Sequence, residues 1–512
     1  MPSHDHLQPL QIKDFAPGLW TRGDWLLPPT AAQTMQDCFP QPGGGLRAWF
    51  KPTAISVSGI ADITKERIIG LHARGGVGAR AGTPTDSTDR YLCTYMYDSS
   101  AGAGNKARPK LYRMDGTNSE TTWTQIYATS GTTQFAFATN DSNAPAQSRF
   151  RYFQLSSGSP NDQYVLMALN YVGSDNGLWR MNYNDLSTAQ KAIEIDPSTP
   201  RSGAMCIHQA RVMIATGTSS PRLWWSNAGT VTFASTSYLD IEPSQDLNVL
   251  NMLFPQPPSD LLVAKEGAPW VVIQGDITDP IVRQMGGGGH TSAASNIQDG
   301  CVTDQGIAFI DSKGDIYLTD GVEFRSISKQ LSGFSNASGV VSLGSLTFMN
   351  HFLFAPGGKV YDFDSQSWFT QTGITGNFHN AERYGSQVWG GVGTSTNFTL
   401  NSVVPYEVTD RVNTYTWKSA PLHEESGRQL EIREVEIVCK SYDTSATIAV
   451  TIGGTTVSKT LAASTKQKVS FYFVKRAEVL DVQVVSTAGN ASNEAPSIEA
   501  ITVWTRPGHS TL

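Results

Sequence analysis

The stretch GDIYLTDG at residues 314–321 reads as an alternating β-strand that ends in the turn pair Asp-Gly. Similar pieces recur along the chain, and nearly all of them have an aromatic residue at the same strand position. These anchor residues are Tyr112, Trp179, Trp224, Val272, Tyr317, Tyr361 and Phe398. Most successive anchors lie about 45 residues apart, and a repeat of about 40 to 50 residues with several short strands is typical of β-propeller blades. The sequence therefore predicts an all-β protein with a β-propeller of about seven blades.

Other strands surround the anchors in each repeat. A strand precedes most anchors across a tight turn, as in ARVMIATG at residues 210–217 and GIAFIDSKG at residues 306–314. Gly, Asn or Asp at the reversal accepts a positive φ at low cost, which is the signal of a β-hairpin. An outer strand with an aromatic residue follows several anchors, at Trp123, Phe233, Phe324 and Trp368. Each repeat is thus expected to contain about four strands.

The opening stretch and its flank contain three aspartates, Asp311, Asp315 and Asp320. They are interpreted either as a metal or acid/base site or as turn residues. The other repeats decide between them, since the register of Asp320 is occupied by Asp115, Asn182, Asn227, Asp364 and Asn401. Asp and Asn recur at turns because their side chains bond to the following backbone N–H groups. We predict that these aspartates are turn residues.

The repeats occupy only the middle of the chain. After about residue 425, clean alternating strands such as REVEIVCKSY (433–442) and KQKVSFYFV (466–474) predict a separate β-sandwich. The first 55 residues are rich in Trp, Pro and Gly, with one expected helix at 31–37 capped by Thr30. The predicted domains are an extended N-terminal arm (1–55), a β-propeller (56–425) and a C-terminal β-sandwich (426–512). Because the last repeat interval is the shortest, the arm is expected to supply the closing strand of the last blade.

Composition limits the partners of this chain. Its 512 residues carry a formal net charge of −7, which argues against tight non-specific binding to DNA or to an anionic membrane, although DNA could pass without adhering. No apolar run approaches the roughly 20 residues of a membrane helix, and the N-terminal stretch lacks the form of a secretory signal. We therefore expect no membrane anchor. The five cysteines are far apart and odd in number, so buried free thiols are expected.

Catalytic motifs such as H-E-x-x-H, a zinc Cys/His set, a Walker loop and a G-x-S-x-G elbow do not occur in the sequence. His208 and His351 are interpreted as core histidines inside apolar strands. The stretch SNAGTVTF at 226–233 is a partial match to the Asp-box of sialidases, with Ala228 and Thr230 at the Asp and Gly positions. We expect no enzyme activity, no catalytic residue, no metal site and no cofactor.

Two further stretches have alternative interpretations. GGGGHTSAAS at 286–295 could cradle a phosphate, but strands flank it where a helix would be needed, so an inter-blade loop is favoured. KQKVSFYFVKR at 466–476 interleaves basic and aromatic residues as an oligonucleotide-binding surface does, and a sandwich strand with a solvated face explains it equally well.

Two regions together carry a resemblance to a known family. They are DFAPGLWTRGDWLLPP and CFPQPGGGLRAW, within residues 14–49, and GGGGHTSAASNIQDGCVTDQGIAFIDSKGDIYLTDGVEFRSISKQL at 286–331. The chain resembles the tail hub, or nozzle, proteins of tailed bacteriophages, among them the propeller-bearing packaged-DNA-stabilisation and tubular proteins and similar minor tail proteins. The resemblance is spread thinly over residues 14–372.

The resemblance implies a structural protein of the virion tail that is assembled in the host cytoplasm. It implies a homo-oligomeric ring, with a hexamer favoured, that attaches below the head-to-tail connector and contacts other tail proteins. Such a ring would guide or retain double-stranded DNA and take part in DNA ejection. Because aromatic residues dominate interface energetics, we name a candidate assembly arm. It consists of Trp20, Trp25, Leu46, Arg47 and Trp49.

Two other functions remain alternatives at this point. One is a receptor-binding propeller at the tail tip, which recognises a host-surface glycan or protein through inserted loops at 97–105 and 139–148. The other is a propeller glycoside hydrolase. Ring assembly, host-surface binding and turnover of glycans are the observations that discriminate between the three.

Overall fold

A computed structural model provides the structure of this protein. It describes residues 7–20, 30–55, 58–59, 66–73, 90–97, 107–114, 123–128, 147–154, 163–170, 177–182, 185–191, 204–215, 222–241, 250–256, 260–265, 271–285, 299–310, 315–331, 346–374, 378–379, 388–392, 399–403, 411–423, 429–443, 445–463 and 466–507. Every regular element in these ranges is a β-strand, which confirms the all-β class.

The strands fall into three groups along the chain. The N-terminal strands are β1 (Gln8–Ile12), β2 (Ala32–Gln36), β3 (Cys38–Pro40), β4 (Leu46–Ala48) and β5 (Thr53–Ile55). The strands of the repeats are β6 (Glu66–Ala73), β7 (Arg90–Tyr97), β8 (Ala107–Met114), β9 (Thr124–Ala128), β10 (Gln147–Gln154), β11 (Gln163–Asn170), β12 (Gly177–Asn182), β13 (Asp185–Lys191), β14 (Ala204–His208), β15 (Arg211–Ala215), β16 (Arg222–Trp225), β17 (Tyr238–Asp240), β18 (Leu250–Gln256), β19 (Asp260–Lys265), β20 (Val271–Gln274), β21 (Ile281–Gln284), β22 (Asp299–Thr303), β23 (Gly306–Ile310), β24 (Ile316–Thr319), β25 (Phe324–Ser326), β26 (Thr347–Met349), β27 (Phe352–Ala355), β28 (Lys359–Asp362), β29 (Ser367–Thr370), β30 (Phe378–His379), β31 (Val388–Val392) and β32 (Thr399–Val403). The C-terminal strands are β33 (Thr414–Ser419), β34 (Leu422–His423), β35 (Leu430–Lys440), β36 (Thr447–Ile452), β37 (Thr455–Thr460), β38 (Lys466–Ala477), β39 (Val479–Leu480), β40 (Val482–Thr487) and β41 (Ser497–Pro507).

The repeat strands pair in antiparallel groups of four that follow chain order, from β6–β9 to β26–β29. The first two groups are joined by a short parallel pairing of β13 with β9. The first strand of each group contacts the first strand of the next from β6 through β10, β14, β18 and β22 to β26, and β30 contacts β6. The first six groups therefore follow one another in a propeller-like arrangement, and the last group lies against the first.

Alternation within the strands explains how the groups pack. In β15, Val212 and Ile214 belong to a buried cluster shared with the second group, whereas Met213 and Ala215 belong to one shared with the fourth. Successive residues of a strand point to opposite faces of its sheet, so one apolar strand fills two cores at once. This is how the third sheet is held between its two neighbours.

The last group is completed from the other end of the sequence. β30, β31 and β32 pair in order, and β5 pairs with β32 in antiparallel register, with Ile55 opposite Leu400 and Ala54 opposite Asn401. This pairing confirms the expectation that the arm supplies a strand to the last repeat.

The expected helix at residues 31–37 is wrong, because residues 32–36 form strand β2. β2 pairs with β33 in antiparallel register and meets β29 in parallel at Gln36 and Thr370. The edges of two sheets thus offer this segment backbone partners on both sides. Tertiary pairing of this kind overrides a weak local helix preference.

Two C-terminal sheets share the N-terminal strands. One runs in the order β2-β33-β40-β36-β37 and continues the sheet of the sixth repeat, and the other runs β3-β4-β41-β35-β38 with β1 also paired to β41. A single buried cluster joins their inner faces to the arm and to the fifth and sixth repeats. Strands on either side of the predicted domain limits, 55/56 and 425/426, pair with each other. Those domain limits stay a prediction.

The cysteines are buried where the structure describes them. Cys38, Cys206, Cys301 and Cys439 are free thiols in the interior, as expected. The side chain of Cys93 lies outside the described part of the chain.

Candidate functional site

The arm meets the sixth repeat through a junction, which we define as residues 15–20 and 35–50 of the arm with residues 367–374 of the repeat. The Leu19 amide donates to the Trp368 carbonyl at 2.8 Å, and the Asp37 amide donates to the Thr370 carbonyl at 2.7 Å. Gly18 makes this approach possible, since a Cβ on it would lie 2.6 Å from the Ser367 Cβ and its φ is +64°. The junction is therefore built on backbone contact that only glycine permits.

Asp37 fastens the junction with its side chain. The Thr372 amide and the Thr372 hydroxyl each donate to one carboxylate oxygen at 2.8 Å. Asp37 is buried and lies at φ 58°, a region where Asp is tolerated better than most residues. Burial raises the pKa of the Asp37 carboxyl above its ordinary value, although the bonds from Thr372 act in the opposite direction.

An aromatic cluster fills the interior of the junction. Trp49 is 1% exposed, and its indole N–H donates to the Gln371 side-chain oxygen at 3.2 Å. Rings from the arm and the sixth repeat lie with centroids 4.7 to 5.6 Å from that of Trp49: Phe39, Phe50, Phe352 and Phe369. Contacts of this geometry add about 0.5–1.5 kcal/mol per pair to the burial of the rings.

A small ionic group ties the arm to the C-terminal sheets. Arg47 donates to Glu494 at 2.7 Å, and the Arg411 Nε lies 3.5 Å from the same carboxylate. Arg411 also donates to the Ala48 carbonyl at 2.7 Å and lies over the Phe50 ring at 4.4 Å. Burial, followed by the charge of Arg47, lowers the pKa of Arg411 to about 10. The Glu494 carboxylate faces both cations and offsets the cost of burying the Arg411 charge beside Arg47.

The candidate assembly arm thus makes its contacts within its own chain. Leu46 and Trp49 are buried, and Arg47 is paired with Glu494. The Trp20 indole N–H donates to the Pro17 carbonyl at 2.9 Å, and Trp25 lies outside the described residues. The role of these residues in contacts between subunits stays a prediction. Sequence reasoning missed their role in joining the repeats to the C-terminal sheets.

The turn interpretation holds for the aspartate that the structure describes best. The Asp320 carboxylate accepts the Val322 amide at 2.8 Å and the Glu323 amide at 3.2 Å. These bonds lower the pKa of Asp320. Asp311 lies outside the described residues, and Asp315 lies directly before β24.

The two histidines differ. His208 lies buried in β14, in agreement with the core interpretation. The interpretation is wrong for His351, which lies in the turn between β26 and β27 with its side chain 37% exposed. The turn places His351 beside Asp362 and Asp364, and these three groups could hold a metal ion, because their ligand atoms all lie within 4.8 Å of one another.

The structure describes two of the three other stretches that the sequence analysis singled out, 226–233 and 466–476. The Ser226 hydroxyl accepts the Val212 amide at 2.9 Å, which gives this residue a structural contact. Residues 466–476 fall in β38, where Lys466, Lys468 and Arg476 are paired with Glu499, Glu436 and Glu431. These charges are largely neutralised, which weakens the oligonucleotide interpretation. Residues 286–295 lie outside the described part.

Within the described ranges, the structure contains no helix with the length and apolar character needed to cross a bilayer.

Comparison with known proteins yields only distant likenesses. No protein-family model and no curated protein matches the chain. Among solved structures, YCF48 is 12% identical, with 69% of this chain and 96% of that chain covered and a TM-score of 0.36. A catalytically inactive virginiamycin B lyase from Staphylococcus aureus is 9% identical, with 69% and 99% covered and a TM-score of 0.40. PorZ of the type-IX secretion system of Porphyromonas gingivalis is 11% identical, with 90% and 61% covered and a TM-score of 0.41.

Likenesses at these TM-scores carry no argument about the present chain. The lyase is an enzyme, but at 9% identity it neither supports nor excludes an activity here. The propeller-like arrangement rests on the strand pairing and the shared cores of the chain itself.

Proposed function

We propose that this chain is a non-enzymatic structural protein of a phage tail, a ring-forming hub or nozzle that attaches below the head-to-tail connector and guides or retains genomic DNA. In this proposal the repeats are seven blades of a propeller and the two C-terminal sheets form a β-sandwich. Six groups of four strands and a seventh group completed by β5 support the blade count. The shared core between the two C-terminal sheets supports the sandwich.

The observation that carries the proposal is the position of the arm. Residues 14–49 hold one of the two regions that resemble tail hub proteins, and the described part of this range, residues 14–20 and 30–49, fastens the sixth repeat to the C-terminal sheets. In a ring that surrounds passing DNA, each subunit has to transmit force without its domains coming apart. Backbone pairing across β29, β2 and β33 joins the domains far more firmly than a flexible linker would.

The chemistry of the surface is compatible with passage of DNA. The chain carries a formal net charge of −7, and a negative wall repels a polyanion instead of binding it. In a tail this would let double-stranded DNA slide through without sequence recognition.

Exposed apolar residues on edge strands are available for contacts between subunits. Ile281 and Val282 of β21 are 68% and 42% exposed, and Val474 of β38 is 73% exposed. β21 and β38 each stand at the end of their sheets as described. Edge strands of this kind are a hazard in a monomer and are covered in an assembly.

Mass photometry of the purified full-length protein, alone and mixed with the purified head-to-tail connector of the same phage, tests the proposal. We expect a closed ring, a hexamer being favoured, or an assembly that forms only with the connector. The same mixture with the connector of an unrelated phage is the control. A persistent monomer in both mixtures contradicts the proposal, and binding to host cells or turnover of glycans by that monomer would support the receptor-binding or hydrolase alternatives.

A further inference from the structure

Two turns of the sixth repeat lie side by side at one end of its sheet. Asn350 and His351 make the turn between β26 and β27, and residues 363–366 make the turn between β28 and β29. Both turns are at the same end because successive antiparallel strands reverse direction. Phe352 stands opposite Asp362 in the ladder, and the Phe363 amide donates to the His351 carbonyl at 2.9 Å. The backbone therefore fixes the distance between the two turns.

Three side chains converge between these turns. The His351 Nε2 lies 3.8 Å from the Asp362 Oδ1 and also 3.8 Å from the Asp364 Oδ2. That distance is too long for a hydrogen bond to either carboxylate, whose range ends at about 3.2 Å. Zn²⁺ binds its ligand atoms at about 2.0–2.2 Å, which puts two tetrahedral ligands about 3.3–3.6 Å apart. The imidazole thus stands between two carboxylates at nearly the spacing of ligands around one cation.

The most buried of the three ligands is already oriented. The Asp362 carboxylate is nearly inaccessible to solvent, and it accepts the Asp364 amide at 3.0 Å and the Ser365 hydroxyl at 2.6 Å. Hydrogen bonds from neighbouring groups orient metal-binding carboxylates in the same way. These hydrogen bonds hold the Asp362 carboxylate in place.

The other two ligands leave the cluster open to solvent. The side chains of His351 and Asp364 are 37% and 58% exposed. A cation could therefore enter from outside, and water could complete its coordination, as it does at sites with three protein ligands.

We propose that His351, Asp362 and Asp364 form a binding site for one divalent cation of the zinc class, which fastens the two turns of the sixth repeat together. Imidazole as a ligand favours Zn²⁺ over Mg²⁺ or Ca²⁺, which prefer oxygen ligands alone. The site lies at the opposite end of β29 from Thr372 and Asp37, since β29 runs from Ser367 to Thr370 between the two. It does not depend on the function proposed above.

The fifth repeat provides a natural comparison. Asp320 occupies the same register as Asp364, and its carboxylate accepts the amides of Val322 and Glu323. The turn between β22 and β23 of that repeat contains Asp304 and Gln305 in place of a histidine. The aspartate alone is thus a turn residue, and the fifth repeat lacks the other two ligands, since Leu318 occupies the register of Asp362.

Titration with ZnCl₂, followed by isothermal calorimetry and by the shift of the melting temperature, tests the site. The sequence also contains His4 and His6, so the measurement uses full-length protein that carries His4→Gln and His6→Gln throughout. We expect one Zn²⁺ per chain and a higher melting temperature with Zn²⁺. In this background His351→Gln and Asp364→Asn should each weaken binding at least about tenfold.

Asp320→Asn is the matched control and should bind Zn²⁺ as the background protein does. Asp364 is an exposed turn residue, so its variant keeps the test valid if His351→Gln fails to fold. The proposal is overturned if the background protein binds no Zn²⁺, if Asp364→Asn binds as tightly as the background, or if Asp320→Asn loses as much affinity as Asp364→Asn.

Discussion

Asp37 shows how a single residue joins distant parts of this chain. Its amide, carbonyl and carboxylate bond to Thr370, Trp49 and Thr372, respectively. The positive φ of 58° directs the chain from β2 into β3 at this point. Sequence reasoning did not find it, because Thr370 and Thr372 are more than 300 residues away along the chain.

The pH dependence of stability should reveal the buried carboxyl of Asp37. Its pKa is raised above 3.8 in the folded state, so the folded state binds the proton more tightly than the unfolded state does. This contribution is fully present below the unfolded pKa and is lost as the pH rises through the folded pKa. Each pH unit that separates the folded pKa from the unfolded pKa corresponds to about 1.4 kcal/mol of unfolding free energy. Asp37→Asn keeps a residue that tolerates positive φ and removes the titration. We expect the stability of the wild type relative to Asp37→Asn, measured by urea denaturation, to decrease as the pH rises above 3.8.

Asp320→Asn is the control with the opposite sign. Hydrogen bonds lower the pKa of Asp320, so its contribution is present above 3.8 and is lost as the pH falls. The opposite result would be a free energy of unfolding that increases with pH in the wild type relative to Asp37→Asn. It would mean that the folded protein favours the charged form of Asp37, which contradicts the raised pKa.

Residues whose role is local could be predicted, and residues whose role depends on tertiary contacts could not. Asp320 is recognisable because turn chemistry involves only the next three residues. His351 is misplaced by its apolar flanks, FMNHFLF, since nothing in that pattern shows that a turn separates β26 from β27. Two ring partners of Trp49, Phe352 and Phe369, come from a repeat some 300 residues downstream.

At the scale of elements, β5 completes the last group of repeat strands, which contacts the first group. It is only three residues long, and it pairs with β32 from the far side of the repeats. The sequence predicted this element from the short last interval, whereas β2 was mistaken for a helix because its neighbours β29 and β33 are far away in sequence.

A disulfide across this pair tests the register. Ala54 and Asn401 stand directly opposite, and opposed residues of an antiparallel pair have Cα atoms about 4.5–5.5 Å apart, within the range of a disulfide. We expect Ala54→Cys with Asn401→Cys to crosslink on oxidation and to stabilise the chain by about 2–4 kcal/mol. Mass spectrometry and the melting temperature give the readout.

Ala54→Cys with Thr399→Cys is the matched control. Thr399 is two residues out of register, where the diagonal distance of about 7–8 Å is too long for a disulfide. Equal crosslinking of both pairs, or of neither, would contradict the pairing of β5 with β32.

At the scale of the whole molecule, the arm, the fifth and sixth repeats and the C-terminal sheets share one core. The period of the repeats and the alternation after residue 425 were enough to predict two β-rich regions, because both signals repeat along the sequence. They could not reveal that β1 to β4 belong to the C-terminal sheets, since strand pairing over such a distance leaves no local pattern.

This shared core predicts that the C-terminal region does not fold alone. A fragment of residues 426–512 lacks β33, which pairs with β40, and β1, which pairs with β41. We expect it to lack the cooperative unfolding transition that the full chain shows by circular dichroism. Co-expression of residues 411–512 with residues 1–55 should restore part of the structure, whereas a cooperatively folded 426–512 would show that the shared core is dispensable.

The pairing of β1 with β41 also constrains how the protein is made. Gln8–Ile12 lie opposite residues 501–505, so this segment meets a partner that is synthesised much later. At about 5–20 residues per second, the ribosome needs roughly half a minute to a minute and a half to reach that partner. Until then Ile12 and Leu46 have no β41 to pack against, and a stalled or truncated nascent chain exposes them to chaperones and proteases. Synthesis of β41 is thus the event that joins these N-terminal strands to the C-terminal sheet.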